Sequence, residues 1–163
     1  MAVGVRLARA ADNPQIAAIW NHEALATAAT TDTEPRSPAA QRAWLRAHGD
    51  AYPVVVAVEA DEVLAFGAVT PYRPKPSYRH TAEDSVYVKD GYRGKHLGTL
   101  VLTRLIELAR AQGHHSMIAR ITSENEPSLR LHERHGFVQT GRERESAHKL
   151  SRWLDVITMQ LLL

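Results

Sequence analysis

Apolar and polar positions along the chain change period several times, and each change marks an element. "VGVRLARA" at the start alternates every second residue, as a short strand does. In "DNPQIAAIWNHEALATAA" the apolar residues Ile16, Ile19, Trp20 and Leu25 recur at helical spacing. Asp12 or Asn13 offers a cap there, and Pro14 falls in the first turn. A loop, "TTDTEPRSP", precedes a short helix, "AAQRAWLRAHG", which stops at Gly49. "YPVVVAVEADEVLAFGAVTPY" reads as two β-rich runs joined at Ala60-Asp61, a hairpin. The Pro- and cation-rich loop "RPKPSYRHT" feeds a strand, "AEDSVYV". A helix over "LVLTRLIELARAQG", a strand "SMIARIT" and a helix "ENEPSLRLHERHG" follow, then two strands, "FVQTGRERE" and "WLDVITMQLLL". Strands dominate first and then alternate with helices, so the expected class is α/β or α+β with a mixed sheet. No repeat, low-complexity tract or linker interrupts the chain, and residues 1–163 are expected to form one domain.

Composition narrows the possible chemistry. Twenty Lys and Arg against 18 Asp and Glu give a net charge of +2, without the basic footprint of a nucleic-acid binder. The absence of cysteine excludes disulfides, thiolate catalysis and cysteine-held zinc. The first residues lack the apolar core of a signal peptide, and no stretch is long enough to span a bilayer. A cytoplasmic protein is expected, with neither nucleic acid nor membrane as partner.

The richest stretch is "SVYVKDGYRGKHLGT", where a strand hands over to a helix through glycines and cations. Unpaired N–H groups and the helix dipole favour an anion at such a terminus, and glycine lets a phosphate come close to the backbone. Two phosphate motifs do not fit. A P-loop requires Ser or Thr after Gly-Lys, and Gly94-Lys95 precedes His96; Gly91, Gly94 and Gly98 miss the G-x-G-x-x-G spacing. Read without further context, the turn is as compatible with an exposed structural loop.

Together with its neighbours the stretch resembles a known family. "VYVKDGYRGKHLGTLVLTRLIELARAQG" is similar to motif A of the GNAT acetyltransferases, Arg/Gln-x-x-Gly-x-Gly/Ala. "NEPSLRLHERHGFVQTGR" resembles their motif B. "IWNHEAL", "DTEPR", "YRPKPSYRHTAEDSVYV" and "GRERESAHKLSRWLDVITMQ" resemble the phosphinothricin and methionine-sulfoximine N-acetyltransferase branch. The resemblance implies a GNAT fold, with a splayed, bulged strand in a mixed, mostly antiparallel sheet. It implies acetyl-CoA as cosubstrate, with no metal. The anion at the turn is then a pyrophosphate, surrounded by Arg93, Gly94, Lys95, His96, Leu97, Gly98 and Thr99. His96 replaces the first signature glycine. Val86, Tyr87 and Val88 would pair their backbone with the pantetheine arm and offer an oxyanion donor, and Asn125 would bond to the arm or a water beside it.

An amine must lose its proton before it attacks, and a carboxylate serves as base. Glu83 stands where the branch carries its proposed base. Asp84 points to the opposite face of a strand, so one of the two faces the pocket. His132 follows Asn125 by seven residues, where many relatives have a tyrosine that protonates the leaving thiolate. "HERH" lacks the H-E-x-x-H spacing of a zinc helix. Arg73 and Lys75, with Glu83, Asp84 and Ser85, are the expected substrate residues. The expected acceptor is a small amine, the α-amine of an amino acid or analogue. Another amine, such as a protein N-terminus or an aminoglycoside, and a non-catalytic CoA-binding module are the alternatives. The apolar C-terminal strand suits either the core or a homodimer.

Overall fold

The structure, a computed structural model, describes residues 2–163. β1 (Gly4–Leu7) leads through a 3-10 turn (Ala10–Asp12) into α1 (Asn13–Ala26) and α2 (Pro38–Arg46). The β2 (Val54–Glu59) and β3 (Glu62–Pro71) hairpin is followed by a 3-10 turn (Pro76–Tyr78) and β4 (Thr81–Val88). Next come α3 (Leu97–Ala111), β5 (Ser116–Thr122), α4 (Glu126–Arg134), β6 (Val138–Lys149) and β7 (Arg152–Leu162). The seven strands form one sheet in the order β1-β2-β3-β4-β5-β7-β6. Only β4 and β5 run parallel, so the sheet is mixed, as the pattern predicts, and mostly antiparallel, as the resemblance implies. No helix among the described residues is long and apolar enough to cross a membrane.

Helix boundaries differ from the sequence reading for local reasons. α1 ends at Ala26, three residues before the predicted stop. Thr27 is already extended, and its hydroxyl donates to the Glu23 carboxylate at 2.5 Å. The buried stripe of α1 runs through Ile16, Ile19, Trp20, Glu23 and Ala24, while Leu25 is 56% exposed. Glu23 therefore occupies the core-facing position that the apolar pattern assigns to its neighbourhood. Asp12 does not cap the helix through its side chain; its oxygens take two bonds from Arg6, at 2.7 and 2.9 Å. α3 begins at Leu97 because His96, in the left-handed region, sets its first turn. β6 continues to Lys149 through the polar run "RERESAHK", since pairing with β7 holds residues whose own pattern does not declare a strand.

Both faces of the sheet are covered. Val101, Leu102 and Leu105 of α3 pack on Val55, Ala57, Ala65 and Met117. On the other face, Ile16, Ile19 and Trp20 meet Val54, Val56 and Phe66. Alternation along each strand sends consecutive residues to opposite layers, which is why the central strands read as unbroken apolar runs. Gly67 sets how close α3 lies. A Cβ there would stand 2.6 Å from Val101 Cγ1 and 2.9 Å from the Ser85 carbonyl, so only glycine permits this approach.

The sheet opens next to β4. Its register with β3 runs unshifted from Pro71↔Ala82 to Ala65↔Val88, whereas β5 pairs only Thr81 to Asp84 before turning to β7 alone. The splay expected at Val86-Tyr87-Val88 is present. It arises from β5 leaving rather than from an extra residue opposite β3. From Ser85 onward, the β5-facing side of β4 has no strand partner.

Candidate active site

The turn after β4 is built from left-handed residues. Gly91 and Gly94 have φ of 80° and 79°, and His96, which caps α3, has φ 60° and ψ 11°. His96 thus takes the conformation that the glycine it replaces adopts easily, at a steric cost of roughly 1–2 kcal/mol. The turn aims the N-terminus of a fifteen-residue helix into a groove of about 490 Å³. Val86, Tyr87 and Val88 form one wall. Arg93, Gly94, His96, Leu97, Gly98 and Thr99 form the end, and Asn125 lines the α4 side. Lys95 lies outside this lining, with its ammonium 4.6 Å from the centre of the Tyr92 ring. The sequence reading missed Tyr92, Ser128, Arg130 and Arg134, which also line the groove. Their cations carry the same message as the turn, but only α4 packing brings them there.

Arg93 is not free in the groove. Its Nη2 donates to Glu23 Oε1 at 2.7 Å, tying the turn to α1 across the splay. Asn125 uses its side chain to cap α4, accepting from Ser128 N at 3.3 Å.

A second cavity, also of about 490 Å³, opens on the α1/α2 face. It meets the groove at Ala29 and Tyr87, which line both. Trp20, Trp44, Phe66 and Tyr87 give it aromatic walls, and Arg36, Arg120, Asp32, Glu83 and Glu143 supply charge. Burial pushes the Glu83 carboxyl above the ordinary range; Asp84 adds to this, while Arg120 and Arg73 oppose it. Burial also raises the Tyr87 phenol well above its usual value.

Of the expected substrate residues, Glu83, Asp84 and Ser85 border this cavity, and Arg73 and Lys75 do not. Arg73 is exposed, its guanidinium 5.0 Å from the Tyr72 ring centre. Asp84 turns its carboxylate to the opposite face. There Oδ2 lies 2.9 Å from His132 Nε2, while Oδ1 is buried with no partner among the described residues. His132 is 2% exposed, and its Nδ1 donates to the Ser128 carbonyl at 2.8 Å. Both ring nitrogens face oxygen atoms that can accept, an arrangement that favours the doubly protonated ring. Burial disfavours the imidazolium, but the field and hydrogen bond of Asp84 outweigh it and leave the His132 pKa above its usual value. His132 does not line the groove, but Ser128, which does, has its Oγ 3.4 Å from Nδ1.

Lys149 is a further buried cation. Buried at the end of β6, it donates to the Glu23 and Thr30 carbonyls at 3.1 and 2.8 Å and fastens the loop after α1. Among the described residues there is no group of three or more side chains arranged to hold a metal ion.

The arrangement suits acetyl-CoA: a left-handed turn with helix N–H groups for phosphates, an unpaired strand edge for an extended arm, and a cavity beyond for an acceptor. Comparison with known proteins agrees. The Acetyltransferase (GNAT) family model matches residues 16–137. The L-methionine sulfoximine/L-methionine sulfone acetyltransferase of Pseudomonas paraeruginosa (strain DSM 24068 / PA7) is 43% identical over 163 residues, covering 99% of this chain and 95% of that protein. The L-amino acid N-acyltransferase MnaT of Escherichia coli (strain K12) is 41% identical, with 99% and 94% covered. The structure of a GNAT superfamily phosphinothricin acetyltransferase from Sinorhizobium meliloti in complex with acetyl-CoA superposes with a TM-score of 0.95. It is 33% identical, with 100% of this chain and 89% of that one covered. The chain therefore belongs to the GNAT family and is an acetyl-CoA-dependent N-acetyltransferase.

Proposed function

We propose that the acceptor is the α-amine of a small amino acid or analogue of the methionine sulfoximine, methionine sulfone or phosphinothricin kind, and that residues 1–163 act as one catalytic domain. The observation that carries this is the cavity containing Glu83, which meets the cosubstrate groove at Tyr87 and Ala29. Its size suits a single small acceptor, and the named relatives act on amino-acid-like substrates.

Acetyl-CoA supplies an activated acetyl group as a thioester. Arg93, Gly94, His96, Leu97, Gly98 and Thr99 would hold its phosphates, with Lys95 adding charge from just outside the groove. The unpaired edge of Val86, Tyr87 and Val88 receives the pantetheine arm, with Asn125 opposite. Glu83 takes the proton of the acceptor ammonium; its raised pKa brings it nearer to neutral working conditions. His132 supplies a proton towards the departing sulfur by way of the hydroxyl of Ser128, which lines the groove. The absence of cysteine leaves no thiol for an acyl-enzyme, which supports direct transfer within a ternary complex.

Thiol release measured across proteinogenic amino acids, methionine sulfone, methionine sulfoximine, phosphinothricin, polyamines and aminoglycosides tests the assignment. Turnover confined to the carboxylated amines is expected; turnover confined to polyamines or aminoglycosides would leave the family and remove the substrate class. We further infer a cytoplasmic homodimer. Val138 and Leu162, at one end of the β6–β7 hairpin, are exposed by 62% and 64%, and they favour a second copy there. Sedimentation equilibrium and cell fractionation check the two parts.

A further inference from the structure

We propose that Arg36 is the receptor for a paired-oxygen group of the acceptor, a carboxylate, phosphinate or sulfonyl. The assignment rests on the amino-acid reading above and names the residue that the sequence reading sought in Arg73.

Arg36 lies just before α2, at the wall of the acceptor cavity. Its backbone is held from both sides by one amide. The N–H donates to Asn21 Oδ1 at 2.8 Å, and the carbonyl accepts from Asn21 Nδ2 at 3.3 Å. Its guanidinium carbon sits 4.0 Å from the Trp20 ring centre and 4.4 Å from that of Trp44. Nη1 donates to Gln41 Oε1 at 3.2 Å, and Gln41, itself buried, is fixed by Asn13 at 3.1 Å. The fork is therefore immobilised before any ligand arrives, which lowers the entropy cost of binding.

What it lacks is an anion. Four acidic residues line the same cavity: Asp32, Glu83, Asp84 and Glu143. Asp84 is bonded to His132, Glu143 pairs with Arg120 at 2.7 Å, and Asp32 accepts from the Thr30 hydroxyl at 3.0 Å. Among the described residues no carboxylate lies within 4.0 Å of Arg36, so the Glu83 base also stands apart from it. Burial weakens the basicity of Arg36, and the fields of Tyr87 and Asp32 do not restore it. A half-buried guanidinium with no counter-ion is costly, and a ligand bearing two oxygens in the plane of its fork removes that cost. Arg120 is already neutralised, and Arg73 lies outside the cavity.

Steady-state kinetics at saturating acetyl-CoA test the assignment with three acceptors: methionine sulfone, its carboxamide, and methionine. For methionine sulfone, Arg36→Gln is expected to raise KM on the order of 10–100-fold, with kcat changed by less. The Kd for acetyl-CoA should stay at the wild-type value. Arg36→Lys, which keeps charge but not the fork, should fall between. If the penalty disappears with the carboxamide, Arg36 binds the α-carboxylate; if it disappears with methionine, it binds the sulfonyl. An unchanged KM, or an equal rise with all three acceptors, overturns the proposal, the latter marking a structural role. Should Arg36→Gln fail to fold by thermal melt, the same comparison is made with Arg36→Lys. Wild-type inactivity on all three and on the proteinogenic amino acids, methionine sulfoximine and phosphinothricin would instead defeat the amino-acid reading, and this assignment with it, before any variant is made.

Discussion

His132 Nε2 stands 2.9 Å from Asp84 Oδ2, joining α4 to the strand that borders the acceptor cavity in a place closed to solvent. The contact makes stability depend on pH. His132 has a folded pKa above its usual value, so the pair contributes fully below the unfolded value of about 6.5 and loses its contribution as pH rises through the folded pKa. Asp84→Asn is expected to cost about 2 kcal/mol at pH 6 and progressively less at alkaline pH. Denaturant melts of both proteins from pH 5.5 to 9 check this; a gap independent of pH would mean that the pair is not charged.

On the proposed proton roles, Glu83 should matter more than His132. Glu83→Gln should lower kcat by roughly 10²–10⁴ and flatten the acidic limb of the pH profile, whose midpoint in wild type lies above that of an ordinary glutamate. His132→Ala should cost less, because a thiol of pKa near 8.5 leaves readily as thiolate and water can protonate it. Turnover against pH for both variants decides the order, and the reverse ranking would make His132 the base.

Arg93 reaches both the groove and Glu23, so its loss should be felt in binding more than in turnover. Arg93→Ala is expected to weaken acetyl-CoA by about 1–3 kcal/mol, the range of a charge-assisted contact. Calorimetric titration of acetyl-CoA into the variant measures it. Unchanged affinity would mean that Arg93 serves only to hold α1 through Glu23.

His96 at φ 60° bears a strain that glycine does not. His96→Gly should leave stability unchanged or raise it by up to about 1 kcal/mol, with acetyl-CoA binding equal or tighter. A melt and a titration on the same protein suffice, and a marked loss of affinity would assign the imidazole a ligand contact.

The sequence by itself determined the mixed sheet, the hairpin at Ala60-Asp61 and the cationic glycine turn, because these rest on period and on turn chemistry confined to a few residues. Glu83 and the groove residues are proposed on a family resemblance, carried by motifs whose members are close in the chain. The sequence did not show that Glu23 faces inward, since an apolar period counts only apolar residues and passes over a buried carboxylate that finds its partner elsewhere. Tertiary structure alone decided the partnerships that define the site. Arg93 meets Glu23 across 70 residues, His132 meets Asp84 across 48, and Lys149 meets the Glu23 carbonyl across 126. Arg36, in a loop with no period, acquires its place only when α1 and α2 set two indoles around it. Local patterns fix which backbone forms, because those energies are short-ranged. Which charges end up paired, and which is left to face the cavity, depends on how the folded sheet stacks segments that the sequence keeps far apart.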